Sequence, residues 1–377
     1  MILAVVFHSG ASLELGEVLA QHDFKRIALV TGGGSFEGSG AAQRILPQLG
    51  GLVVSRHQLT RANPTAEDVA EAVADIKAGY PQAIVAVGGG SVLDLAKIVS
   101  VCLASDAEIG SILVGSASPE SIEVPVLAVP TTSGSGAEMT AFATVYVDRV
   151  KYSVAHPRMR PVAVLLDPEL TYSMPPHLTA VTGLDALSHA IESIWSVRSV
   201  PESVESARLA LELTWAHLPT AVHRPDPESR ERMAEAANLA GKAINISRTT
   251  ACHALSYRLT SHFGVPHGHA AALTLGVMLG FNAAVDYEDV VDARGADHVR
   301  AAVEMIIASL GVDSAAAAGQ ALTAFIHQLD LATRLHQLGV PASELPALSR
   351  SANFERLGNN PRYLDEERAL QLLVKVA

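Results

Sequence analysis

Short apolar runs that end in glycine or a small polar residue recur through the first half of the chain, and they restrict its fold more than any other feature. Arg26-Ile27-Ala28-Leu29-Val30 leads into Thr31-Gly32-Gly33-Gly34, and Ala83-Ile84-Val85-Ala86-Val87 into Gly88-Gly89-Gly90. Val124-Pro125-Val126-Leu127-Ala128-Val129 precedes Pro130-Thr131-Thr132, and Val162-Ala163-Val164-Leu165-Leu166 precedes Asp167-Pro168. Runs that are apolar throughout fit strands buried on both faces. Helical stretches lie between them, such as Thr65 to Gly79, which Asn63-Pro64 introduces and whose first turn is acidic. The alternation predicts an α/β fold, a mostly parallel sheet covered by helices. After Asp167 the pattern changes to long Ala- and Leu-rich helical stretches from about Thr179 onward, Ala315 to Ala324 among them. The expected division is an α/β domain over residues 1–172 and an all-α domain over 173–377.

Composition narrows the partners. A chain of 377 residues suits two domains at about 100–200 residues each. Its 27 basic residues against 39 acidic ones leave a net charge of −12, which argues against nucleic acid or an anionic membrane as partner. No apolar run approaches the ~18–20 residues of a membrane span. The opening MILAVVFHSG lacks a basic leader segment and reads as a first strand. Cys102 and Cys252 alone cannot build a disulfide framework and fit a reducing cytoplasm.

Gly88-Gly89-Gly90-Ser91 joins a buried strand to a helix that contains Asp94 and Lys97. Glycines let backbone approach a pyrophosphate, and the helix N-terminus offers free N–H groups to it. A second turn, Pro130-Thr131-Thr132-Ser133-Gly134-Ser135-Gly136, carries hydroxyls suited to a ribose, an amide or a phosphate. Two such turns favour a dinucleotide over a lone phosphate. The acid that would take the 2′-hydroxyl of NAD after an early strand is replaced by Gly32 to Ser35, so NADPH is allowed as well as NADH.

Asp185 and His189 stand four residues apart, which places them on one helix face a turn apart. Gly264 and Pro266 should break a helix between His253 and His267, letting the chain aim both imidazoles at one point. Three imidazoles and a carboxylate suit Fe²⁺, or Zn²⁺, better than Mg²⁺ or Ca²⁺. Cys252, beside His253, should be a buried inert thiol.

Taken together, these stretches resemble the iron-containing (group III) alcohol dehydrogenases over essentially the whole chain. Asn63-Pro64-Thr65, Asp167-Pro168-Glu169-Leu170-Thr171, Pro175-Pro176, Gly183 to His189 and Pro266-His267-Gly268 carry the likeness, with the two turns above. The resemblance implies a Rossmann-like N-terminal domain, a helical metal-binding and substrate domain, and a homodimer formed through the edge of the N-terminal sheet. It gives Asp185, His189, His253 and His267 as metal ligands. It places cofactor contacts on Asn63, Gly90, Ser91, Asp94, Thr131, Thr132, Thr140 and Lys151, and sets the NAD-favouring acid at Gly32.

One departure concerns the proton. Four residues after the third ligand the family commonly carries a proton-relaying histidine, and here Tyr257 stands there, followed by Arg258 in place of proline. Either Tyr257, protonated at its ordinary pKa of about 10, delivers the proton, or water or ribose hydroxyls do, with the ring packed against the cofactor. The stretch Gly241 to Thr250, with His253 to Tyr257, resembles the phosphonoacetaldehyde reductase branch of that family. That likeness implies reduction of phosphonoacetaldehyde to 2-hydroxyethylphosphonate, a step of phosphonate biosynthesis. Lys242, Asn245, Ser247, Arg248, Thr249 and Arg258 are the candidates to hold an anionic aldehyde, since guanidinium forks and hydroxyls suit a tetrahedral oxyanion. General alcohol or glycerol dehydrogenases, and dehydroquinate synthases, which are lyases, share the architecture; net consumption of the nicotinamide cofactor separates the lyases.

Overall fold

A computed structural model describes residues 4–103, 105, 107–117, 124–352 and 354–377. The chain forms two compact units, Met1–Met174 and Pro175–Ala377.

The first unit is built on six parallel strands: β1 (Ala4–Phe7), β2 (Ile27–Gly32), β3 (Val53–Leu59), β4 (Ala83–Gly88), β5 (Val126–Pro130) and, after a hairpin of β6 (Phe142–Val147) and β7 (Val150–Ala155), β8 (Ala163–Leu166). Their order across the sheet is β1-β8-β5-β4-β2-β3. Every residue of β2, β4, β5 and β8 is buried, which is why these strands read as continuous apolar runs. From β2 the chain moves outward to β3, whereas from β4 it moves the other way to β5. The sheet therefore reverses direction between β2 and β4, and in open parallel sheets ligands bind beyond the carboxyl ends of the strands at such a point. Both glycine turns, after Gly32 and after Gly88, lie there.

Two features depart from the sequence reading. β3 is an edge strand whose sequence, Val-Val-Ser-Arg-His-Gln-Leu, mixes exposed and covered positions instead of running apolar throughout. The β6–β7 hairpin is antiparallel and forms a separate two-stranded sheet. Its turn residues, Asp148 and Arg149, both have positive φ (48° and 64°), the type I′ geometry that Asn-Gly usually signals.

The helix α1 (Ala66–Lys77) begins at a capping box, with Thr65 N–H donating to Asp68 at 2.8 Å and Asp68 N–H returning to the Thr65 hydroxyl. The helix α2 (Gly90–Leu103) carries Lys97, which has no exposed surface. Its ammonium meets Asp94 at 3.0 Å and donates to Ala137 O and Thr140 Oγ1, each at 2.9 Å, and to Phe142 O. Asp94 in turn accepts from Thr144 N–H at 2.9 Å, so the pair locks the second turn and the hairpin onto α2.

The second unit is helical, and no strand follows Leu166 among the described residues. Its first five helices are α3 (Pro176–Trp195), α4 (Pro201–His223), α5 (Pro227–Ser247), α6 (Ala251–Phe263) and α7 (His267–Ala272). Proline opens each of the first three, where its missing N–H costs nothing. Gly264 ends α6 in the left-handed conformation and Pro266 precedes α7, the break expected between His253 and His267. The Ala315 stretch is helix, over Ala315–Gln328. Apart from Thr182, every residue of α3 from Thr179 onward is buried, including Asp185, His189 and Glu192. Among the described residues no helix is long and apolar enough to cross a membrane.

Removing the fully buried Lys97 takes from the partly covered Asp94 its cation and from Ala137, Thr140 and Phe142 a shared donor. Lys97→Met is therefore expected to lower the unfolding free energy by about 3–5 kcal/mol, read from urea denaturation of the two proteins side by side.

Candidate active site

Asp185 and His189 project from one face of α3, and α6 brings His253 against them. His189 Nε2 lies 3.8 Å and His253 Nε2 3.5 Å from Asp185 Oδ1, and the two imidazoles stack with centroids 4.7 Å apart. One ligand atom from each residue falls within 4.8 Å of the other two. Asp185 Oδ1 and His253 Nε2 are buried and make no hydrogen bond, which is the condition of donor atoms that face a cation. The cluster therefore fits a divalent ion held by nitrogen and oxygen.

His267 opens α7 and stands edge-on to His253, with centroids 5.2 Å apart, outside the three-residue group. Its neighbour Gly268 explains how α7 comes so near. A Cβ there would lie 2.1 Å from Val181 O and 2.6 Å from Asp185 Cβ, so only glycine lets α7 press against α3 at the site.

The sequence reading missed Glu192. Its side chain has no exposed surface, and it accepts from Thr250 N–H, the Thr250 hydroxyl, Cys252 N–H and His253 N–H, while its second oxygen meets His253 Nδ1. The available signal was spacing: residues 185, 189 and 192 follow the i, i+4, i+7 period of one helix face.

Charge in the cluster is strongly coupled. Burial opposes ionisation of Asp185, yet the imidazoles of His189, His253 and His267 hold its carboxyl well below the usual carboxylate range. Burial would likewise lower the pKa of His253, but Glu192 and Asp185 outweigh it and raise the imidazole to about 9. Burial pushes the Cys252 thiol well up, so the buried inert thiol is what the structure contains. Burial also raises the phenol of Tyr257, which hydrogen-bonds with Arg356 and Thr249 and lies 6.1 Å from the His267 ring centroid.

In the first unit the two turns pack on each other. A Cβ on Gly90 would lie 2.4 Å from Ser135 Oγ, and one on Gly89 would lie 3.2 Å from the Thr132 side chain. Gly88 has Val92 within 2.6 Å of the same point. Three hydroxyls at these strand ends, Thr31, Thr131 and Ser133, are buried without a hydrogen-bond partner, so the turns hold polar atoms ready for a ligand. Asn63 N–H donates to Ser91 Oγ at 3.1 Å, which brings these two residues together. A Cβ on Gly32 would lie 2.2 Å from Ser35 Oγ, so an acid there would displace that serine. Thr140 and Asp94 are engaged within the unit, by Lys97 and by the hairpin backbone. Lys151 lies half-buried on β7.

The residues considered for an anionic substrate separate into three groups. Lys242 is paired with Glu202 at 3.2 Å, and Arg258 with Glu344 at 3.2 Å, so their charges are satisfied by carboxylates of this chain. Ser247 is fully buried, its hydroxyl bonded to Ser193 Oγ and Ala243 O, and cannot meet a substrate without disrupting α5. All three are thus engaged within the chain. Asn245 is half-buried on α5, while Arg248 and Thr249 lie in the link to α6, where Thr249 also meets Tyr257.

A parallel α/β unit with two phosphate-type turns and a helical unit with a buried Asp/His cluster fit an enzyme that uses a nucleotide and a divalent metal. The match extends to a family: the description "Iron-containing alcohol dehydrogenase" fits residues 4–168, and its C-terminal counterpart residues 179–377. The chain is 37% identical over 359 residues to a phosphonoacetaldehyde reductase of Streptomyces viridochromogenes, covering 92% of this chain and 89% of that one. It is 29% identical over 332 residues to a sulfoacetaldehyde reductase of Bilophila wadsworthia, covering 86% and 84%. The solved structure of sulfoacetaldehyde reductase from Bifidobacterium kashiwanohense in complex with NAD⁺ superposes with a TM-score of 0.88, at 28% identity, over 100% of this chain and 97% of that one. The chain belongs to the iron-containing alcohol dehydrogenase family and is an NAD(P)-linked alcohol dehydrogenase/aldehyde reductase.

The raised pKa of His253 fixes the sign of a pH effect. Below about 9 its imidazole holds a proton that an incoming ion must displace, so affinity rises with pH toward that value. Zn²⁺ affinity of metal-stripped protein, measured at pH 6, 7 and 8 against a chelator, is expected to climb by up to about tenfold per unit. A flat profile contradicts it.

Proposed function

We propose that this enzyme reduces a short aldehyde bearing a tetrahedral oxyanion, phosphonoacetaldehyde to 2-hydroxyethylphosphonate, with NADPH or NADH and Fe²⁺. The observation that carries the choice of substrate is the backbone of Arg248, at φ 61° and ψ 170°. That region belongs essentially to glycine and costs another residue about 1–3 kcal/mol. Neighbouring bonds impose it: Arg248 N–H caps Ile244 O, Ser196 Oγ holds Ser247 O, and Asn359 Nδ2 holds Thr249 O. Glycine would meet these constraints without strain. An arginine in its place is best understood through its guanidinium, the group that recognises a tetrahedral oxyanion by paired hydrogen bonds. The similar reductases named above act on phosphonoacetaldehyde and sulfoacetaldehyde, and both substrates carry such an oxyanion.

Asp185, His189, His253 and His267 hold the ion. When bound, the ion supplies Lewis-acid polarisation of a carbonyl and the nicotinamide supplies hydride. Thr31, Thr131, Ser133 and the turn at Gly88 to Ser91 orient the dinucleotide through hydroxyl and backbone donors. Arg248 and Thr249 bind the anionic end. Tyr257, still protonated at neutral pH because burial raises its pKa, keeps a proton at its phenol oxygen and gives it to the product oxygen. Pairing of two copies through β1, an edge of the sheet with Val5 exposed, belongs to the same proposal.

Oxidation of NADPH and of NADH, with Fe²⁺ present, is to be compared for phosphonoacetaldehyde and acetaldehyde. We expect kcat/KM to favour the phosphonate by about 10- to 100-fold, the value of a charge-assisted contact of about 1.5–3 kcal/mol. Equal or reversed preference leaves a general aldehyde reductase of this family. Arg248→Gly is expected to lose that preference while its Tm stays equal or rises, because the strain leaves with the side chain.

A further inference from the structure

We infer that Glu192 selects which nitrogen of His253 faces the ion, and thereby sets the metal affinity of a site whose ligands it does not join. The inference rests on His253 being a ligand. Glu192 follows His189 by three residues on α3, and its two oxygens have separate partners. Oε1 accepts the backbone N–H groups of Thr250 at 3.2 Å, Cys252 at 2.9 Å and His253 at 3.4 Å, with the Thr250 hydroxyl at 2.6 Å. These are the unpaired donors at the start of α6, a helix that has no side-chain cap of its own. A carboxylate from another helix does the capping.

Oε2 meets His253 Nδ1. An ionised carboxylate only accepts, so the proton of the imidazole must sit on Nδ1. When the ion displaces the other proton, the lone pair is freed on Nε2, the buried atom without a hydrogen bond that lies 3.5 Å from Asp185 Oδ1. The cap fixes the position of the α6 backbone, and the second oxygen fixes the tautomer, so one carboxylate aims the ligand in both respects. Charge adds to the effect. Asp185 and Glu192 bring two negative charges into a buried site whose imidazoles are neutral when ligating, and a divalent ion cancels them.

Glutamine separates these roles because it keeps the shape. Its amide oxygen can replace Oε1 at the start of α6, and its NH₂ group then points at His253 Nδ1. Nδ1 is forced to accept, the imidazole proton moves to Nε2, and a donor faces the ion. We expect Glu192→Gln to keep the far-UV circular dichroism of the parent while binding Zn²⁺ about 10- to 100-fold more weakly, by chelator competition on metal-stripped protein. Thr250→Val removes one hydroxyl from the cap, which is also the acceptor of Trp195 Nε1–H, and changes neither Glu192 nor His253. That variant should lower Tm and leave Zn²⁺ affinity unmoved, which a purely structural role for Glu192 does not predict. Parental affinity in Glu192→Gln overturns the inference. If the parent itself binds no Zn²⁺, the ligand assignment beneath it falls instead. Should Glu192→Gln not fold, ¹⁵N spectra of the Zn²⁺-loaded parent decide. An exchange-protected proton on His253 Nδ1 supports the inference, and coordination through Nδ1 overturns it.

Discussion

A buried carboxylate needs partners, and the helical unit is arranged around meeting that need twice on one helix. The helix α3 is enclosed on nearly every side, so the charges of Asp185 and Glu192 have no recourse to water. Glu192 is satisfied internally, by the first N–H groups of α6 and by His253. Asp185 is not: its Oδ1 keeps no hydrogen bond although imidazoles crowd it. One carboxylate thus organises the scaffold and the other is held open for an ion. The difference between the two separates a structural acid from a ligand more sharply than burial does, since both are buried.

Close approach is the second condition, and it is met by removing side chains. Gly268 lets α7 reach α3 beside Asp185, and Gly183 does the same where α3 meets Leu218, with a Cβ there 2.2 Å from that side chain. The first unit uses the same device at Gly89 and Gly90, where the second turn takes the space a Cβ would fill. In both units the residues that bear chemistry are brought together by residues that bear none. A polar atom at such a contact has little freedom to adjust, which favours preorganised binding.

How much of this could be read beforehand depended on whether the determining interaction was local. The central strands were legible because burial on both faces leaves no polar position in them. β3 was not, since an edge strand carries Ser55, Arg56 and Gln58 at covered and exposed positions alike. The β6–β7 turn was hidden because Asp148 and Arg149 adopt positive φ under tertiary control instead of by residue preference. The cluster of Asp185, His189 and His253 was legible from helical spacing and from a helix break. Glu192 lay on the same spacing and was passed over. An acid beside Ser193 and before Ile194 and Trp195 looks like an ordinary polar position until the start of α6 is seen to close on it.

The same distinction decides among the basic residues. Lys242, Arg248 and Arg258 stand near one another in the chain, and proximity in sequence made them one group. Helical geometry disperses them: Lys242 sits on α5, Arg258 on α6, and each meets a glutamate. Arg248 differs in the one property that sequence proximity cannot report, its backbone. It stands between two helices whose facing ends are bonded to Ile244, Ser196, Asn359 and Glu192. Stability alone would favour glycine there, so a gain made through the side chain has to offset the strain. A chain that keeps arginine instead of glycine at this point, five residues before His253, accepts backbone strain in order to hold a guanidinium there.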